Sequence, residues 1–106
     1  MTTSKNGGNN PPAYYETSNT LRFYPKNQIV IQTLTGYSIS SVDVEIGSNK
    51  TLTASDLHSS SGTSQTTDDG VKFTNIGAGT FTLTVDPDKP SGNLGIASLT
   101  IVIATA

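Results

Sequence analysis

The chain has 106 residues, of which 33% are hydrophobic and 13% charged, enough for one domain with a thin two-layer core but not for a deep enclosed active site. The formal net charge of -2 and the lack of any basic block argue against a nucleic-acid partner, and the absence of cysteine removes disulfides and thiol chemistry. No segment has transmembrane length, and the start MTTSKNGG lacks the apolar centre of a signal peptide.

In chain order, Met1 to Ser4 reads as a short edge strand, and Lys5 to Pro12 as a Gly, Asn and Pro loop in which Pro11-Pro12 forbids helix. Tyr14 and Tyr15 follow, bounded by a turn at Glu16–Asn19. Thr20–Tyr24 alternates, with Leu21 and Phe23 on one face and Arg22 and Tyr24 on the other. Pro25-Lys26-Asn27 is a tight link to a second strand, Gln28–Leu34, whose inward pair is Ile29 and Ile31, so the two strands read as a hairpin.

Thr35-Gly36 turns the chain into Tyr37–Ile46. There Ile39 has odd parity but Val42, Val44 and Ile46 even parity, which calls for a bulge at Ser40-Ser41. Gly47–Lys50 reads as a turn, Thr51–Ala54 as a short strand, and Ser55 to Gln65 as loop with a weak edge strand. Asp68-Asp69-Gly70 precedes the strand Val71–Asn75, with Val71 and Phe73 inward and Lys72 outward. Gly77–Gly79 turns into Thr80–Val85, where Phe81, Leu83 and Val85 alternate with threonines. Asp86–Asn93 is a loop, and the last strand, Ile96–Ala104, buries Leu99, Ile101 and Ile103. Eight or nine short strands without helical period predict an all-β fold, an antiparallel β-sandwich of jelly-roll or Ig-like type, with residues 1–106 as a single module.

Catalytic chemistry finds little support. His58 is the sole histidine and sits in the loop SDLHSSSG, two residues after Asp56, without a nucleophile elbow nearby. Asp43 and Glu45 share the outward parity of their strand, where a carboxyl pair is a solvated surface rather than an acid–base couple. No cofactor is expected; a structural calcium is the one ion that Asp68, Asp69, Asp86 and Asp88 suit, although their spacing also suits plain turns. Thr80, Thr82, Thr84 and Thr100 could form an outward hydroxyl array, although threonine is also an ordinary residue of a solvated strand face.

Aromatic faces stack on sugar rings, and Lys, Arg and Asn bind hydroxyls and carboxylates. The candidate ligand-binding residues are therefore Tyr14, Arg22, Tyr24, Lys26 and Lys72, which form one aromatic and basic patch if their strands are neighbours.

The runs NNPPAYYETSNTLRFYPKNQIVI, GYSISSVDVEI and PSGNLGIASLTIVI span most of the chain. Together they resemble a recurring β-sandwich module of secreted multidomain proteins of gut and rumen bacteria, some members of which are similar to non-catalytic carbohydrate-binding modules of plant cell-wall enzymes. The resemblance implies a secreted, non-enzymatic, monomeric domain, linked to catalytic or dockerin-type domains, that binds a polysaccharide. Where related modules carry G-T-W-T-G, this chain has Gly62-Thr63-Ser64-Gln65-Thr66. Without tryptophan to grip a neutral glucan, the three cations point to an acidic polymer such as homogalacturonan. The alternative expectation is a structural or adhesive spacer of a bacterial cell-surface protein with no glycan ligand.

Overall fold

The structure, a computed structural model, describes residues 1–17, 19–50 and 52–106. It contains ten strands: β1 (Thr2–Ser4), β2 (Ala13–Tyr15), β3 (Thr20–Phe23), β4 (Gln28–Gln32), β5 (Tyr37–Lys50), β6 (Leu57–Ser59), β7 (Thr63–Thr66), β8 (Gly70–Thr74), β9 (Thr80–Val85) and β10 (Asn93–Thr105). They form two antiparallel sheets, a four-stranded one in the order β1-β4-β9-β6 and a six-stranded one in the order β2-β3-β10-β5-β8-β7. The fold is an antiparallel β-sandwich, with ten strands rather than eight or nine.

Alternation explains the core. Ile29, Ile31, Phe81, Leu83 and Val85 project from the four-stranded sheet onto Phe23, Val42, Val44, Val71, Phe73 and Leu94 of the six-stranded one, all buried. Phe73 and Phe81 meet across the two layers with ring centroids 5.4 Å apart and planes tilted by 58°, a geometry that suits aromatic quadrupoles.

The parity break in β5 is a bulge: Val102 pairs with Ser41 and Ile103 with Ile39, leaving Ser40 unmatched. Its hydroxyl donates to Val102 O at 3.0 Å. A second irregularity was hidden in the sequence. The segment Gly47–Lys50 is not a turn but the continuation of β5, and its pairing with β10 leaves first Gly47 and then Ala97 unmatched. One slip on each strand cancels the other, so both strands keep their inward faces. A Cβ on Gly47 would lie 2.7 Å from Thr20 Cγ2 and 3.0 Å from the Ala97 methyl, so the bulge closes only around glycine.

Three further expectations change. Strands β3 and β4 are not a hairpin, because they belong to different sheets. Pro25 brings no N–H to a ladder, and Lys26 N–H donates to Val85 O, so the chain changes sheets at Pro25 and pairs with β9 from there on. The expected strand Thr51–Ala54 begins outside the described residues at Thr51; Leu52 and Thr53 are irregular and Ala54 opens a 3-10 turn, Ala54–Asp56. Finally, β10 buries Leu94 and Ile96, but Leu99 and Ile101 are only half-buried and Ile103 is exposed. The opposite sheet explains this, since β4 ends at Gln32 and β1 has three residues, so among the described residues neither strand extends over the end of β10.

Candidate functional site

The change of sheet at Pro25 builds one pole of the sandwich. Asn27 N–H donates to Tyr24 O at 3.0 Å, closing a turn with Pro25 and Lys26 at its centre. Lys26 has φ 73, the left-handed position that such turns normally give to glycine, at a cost of about 1 kcal/mol for a residue with a Cβ. Asn27 is fully buried and holds this pole together. Its Oδ1 accepts from Tyr24 N–H at 2.9 Å, and its Nδ2 donates to Asn10 O at 2.7 Å and Lys5 O at 3.4 Å. Its main-chain carbonyl accepts from Val85 N–H at 2.9 Å. A buried amide satisfied in this way ties the N-terminal loop, the β3–β4 turn and β9 into one unit.

Between those loops lies a cleft of about 590 Å³. The N-terminal loop contributes Asn9 and Asn10, the turn Tyr24, Pro25 and Lys26, and the β9–β10 loop a wall from Pro87 to Asn93. That wall is folded locally: Asp86 Oδ1 accepts from Asp88 N–H at 2.9 Å, which bends the loop as an Asx turn. Lys89 anchors it from below, Nζ lying 3.6 Å from Oδ1 of the buried Asp56, whose Oδ2 accepts from Thr53 N–H at 2.8 Å.

Tyr24 joins this cleft to a second group of side chains. Its hydroxyl is 3.1 Å from that of Tyr15, and the Arg22 guanidinium carbon sits 3.6 Å above the centroid of the Tyr15 ring, a cation–π stack. The hydroxyl pair splits the two phenols. Hydrogen bonding from Tyr24 holds Tyr15 below the usual tyrosine range, with the Arg22 charge acting in the same direction. The same bond, together with desolvation, pushes Tyr24 above it.

No family model, curated protein or solved structure matches the chain.

Of the residues singled out in the sequence, Tyr24 and Lys26 line the cleft and Arg22 stacks beside it. Tyr14 lies on the other side of β2 from Tyr15, exposed, its hydroxyl donating to Asn19 Oδ1 at 2.6 Å. Lys72 is not part of this group. Strands β10 and β5 separate β3 from β8, and Lys72 aligns through Asp43 with Thr100, whereas Arg22 aligns with Gly95. Three strand spacings across and five residues along place the two backbones roughly 20 Å apart.

Elsewhere the chemistry is sparse. His58 is exposed on β6 while Asp56 is committed to Thr53 and Lys89. Asp43 and Glu45 face solvent on the outer side of the six-stranded sheet, where Ser98 Oγ donates to Glu45 Oε2 at 3.0 Å. Among the described residues no cluster of three or more His, Asp or Glu is arranged to hold a metal. The threonines do not form one array: Thr80, Thr82 and Thr84 lie on the four-stranded sheet and Thr100 on the other.

The sequence reading missed Asn27 and the Asp56–Lys89 pair, because neither follows an alternation. The signal available for Asn27 was the P-K-N turn itself, in which asparagine often bonds to nearby main chain.

Proposed function

We propose that this domain is a non-catalytic, extracellular carbohydrate-binding module, with the cleft at the Asn27 pole as its binding site. The observation that carries the reading is the lining of that cleft. The Tyr24 ring and the prolines offer apolar surface to a sugar face, and Asn9, Asn10, Ser91 and Asn93 bring polar groups suited to hydroxyls. Lys26 and Lys89 flank the cleft with Asp88. Lys89 already faces Asp56, so Lys26 is the cation available to a uronate carboxylate, which favours an acidic plant cell-wall polymer such as homogalacturonan.

Met1 lies beside Val30 and Leu34, and Ala106 N–H donates to Gly36 O, so both ends of the chain are at the pole away from the cleft. A catalytic or dockerin-type domain joined at either end would leave the cleft open, and weak binding would concentrate that domain on its polymer.

Affinity electrophoresis through gels containing homogalacturonan, xylan, cellulose or xyloglucan tests the proposal. The expected result is retardation by homogalacturonan, abolished in Tyr24→Ala and weakened roughly fivefold to tenfold, about 1 kcal/mol, in Lys26→Ala. Retardation by neutral glucans alone rejects the acidic ligand, and retardation by none of the four rejects the glycan reading. The second reading, a structural or adhesive domain of a cell-surface protein, is favoured by one observation: Leu34, Tyr37 and Ile103 are exposed along one groove at the far pole.

A further inference from the structure

The far pole carries an open sheet edge. On its β3 side, β10 is paired only from Leu94 to Ile96; among the described residues no strand pairs with that side from Ala97 to Thr105. The direction of the main chain there follows from its bonds to β5. Val102 O accepts from Ser40 Oγ, and Ala106 N–H donates to Gly36 O, so even-numbered residues turn their peptide groups toward β5. By strand alternation Leu99, Ile101, Ile103 and Thr105 turn theirs to the open side. Ile39 agrees: it pairs with Ile103 but gives its N–H to Ala78 O on the other flank.

Natural sheets protect such edges with charge, proline, bulges or brevity. The other edges of this protein are short, three residues in β1, β2 and β6 and four in β7. The open edge of β10 spans nine residues, ASLTIVIAT, without a charge, a proline or a glycine. Beside it runs a mainly apolar groove, lined by Ile31, Leu34, Tyr37, Ile101 and Ile103 together with Gln32 and Thr33.

We propose that this edge pairs with the same edge of a second copy of the chain, antiparallel about a two-fold axis at Ile101. The edge is self-complementary in that register. Ile101 meets its counterpart, Leu99 meets Ile103 of the second copy on the inner face, and Thr100 meets Val102 on the outer face. The central inner contacts, Ile101 with Ile101 and Leu99 with Ile103, are apolar, the peptide groups that point outward are those that must pair, and no charge on either edge repels the other despite the net charge of -2. The result is one continuous sheet in which β7, β8, β5 and β10 of the two copies run side by side, eight strands in a row, with β3 and β2 of each copy beside the Leu94–Ile96 end of its β10. The paired edge is about 30 Å long, nine residues at about 3.3 Å, which places the contact at the small end of protein interfaces. The dimer is therefore reversible and concentration-dependent. It does not rest on the glycan reading, since the cleft lies at the other pole.

Sedimentation equilibrium on the intact chain tests this. The mass is expected to rise from 11.0 kDa to twice that value between roughly 10 µM and 1 mM, the range of a small reversible interface. Ile103→Lys puts a charge on an exposed position of the edge and is expected to hold the mass at that of the monomer throughout, with an unchanged circular dichroism spectrum. Ile103→Pro, which removes one outward N–H and no bond to β5, is expected to do the same. The chain has no native cysteine, so Ile101→Cys reports the register directly by cross-linking to its own counterpart on mild oxidation. A wild-type mass that stays at 11.0 kDa, a dimer indifferent to both Ile103 substitutions, growth beyond a dimer, or a dimer that Ile101→Cys fails to cross-link would each overturn the proposal.

Discussion

The two poles of the sandwich are closed by opposite means. At the cleft pole the chain supplies polar groups and a satisfied network: Asn27 is buried and bonded on every side, and Asp56 holds Lys89. At the far pole the chain supplies apolar residues and leaves them uncovered, with Leu34 80% and Ile103 55% exposed. Polar groups are safe in a wet opening and apolar ones are not, so the first pole is satisfied within one chain whereas the second leaves apolar surface open to solvent. On the two proposals made above, ligand binding and self-pairing would lie at opposite ends of one core.

The contrast can be broken at several points. Phe81→Ala removes the ring that joins the two layers and is expected to cost about 3–5 kcal/mol of unfolding free energy by urea denaturation, affecting both poles alike. Asn27→Ala should act on one pole only. It strips the partner from Tyr24 N–H and the Asn27 bond from Asn10 O, while Lys5 O keeps Gly8 N–H, at a cost of about 2–3 kcal/mol. Hydrogen exchange should then accelerate in Lys5–Asn10 while remaining slow in β9, and uniform acceleration would mean that Asn27 is not the local clasp described above.

Lys26→Gly sharpens the comparison from the other side. Relief of a left-handed lysine should stabilise the fold by about 0.5–1 kcal/mol while weakening homogalacturonan binding, a trade that marks the strained residue as one kept for its side chain. Leu34→Ser at the far pole should change stability by less than about 0.5 kcal/mol, because an exposed side chain loses little on truncation. The smallest effect is spectroscopic. Tyr15 should ionise below the usual range near pH 10 and Tyr24 above it. In Tyr24→Phe the early phase of the tyrosinate absorbance should move toward higher pH, since the hydroxyl that stabilises the Tyr15 phenolate is gone. The linkage has opposite signs: the Tyr15 shift favours the folded state above the unfolded-state value near 10, while the Tyr24 shift favours it below that value and is lost as pH rises.

Some of this was available from residue order alone. The alternation in Thr80–Val85 assigns Phe81, Leu83 and Val85 to the core, and all three are buried. The parity change between Ile39 and Val42 locates a bulge that the pairing places at Ser40. Such facts are local: a strand has two faces, and a residue's parity decides between them without reference to the rest of the chain. Which sheet a strand joins is not local. The segments Thr20–Phe23 and Gln28–Gln32 look like two arms of a hairpin, yet a proline without an N–H and a lysine bonded to Val85 send them to different layers. Equally, Leu99, Ile101 and Ile103 have the same parity and similar hydrophobicity, but their exposure increases toward the end where the facing sheet runs out. The candidate site divides in the same way. Tyr24 and Lys26 stood out as residues, but their union with Asn9, Asn10 and the Pro87–Asn93 loop, and the separation of Lys72, depend on contacts between positions far apart in the chain. The sequence by itself therefore determined most of the strands and the inward faces of those that lie over the opposite sheet, but not the run of β5 through Gly47–Lys50. Only the tertiary structure decided which strands became neighbours, and with that where the cleft and the open edge lie.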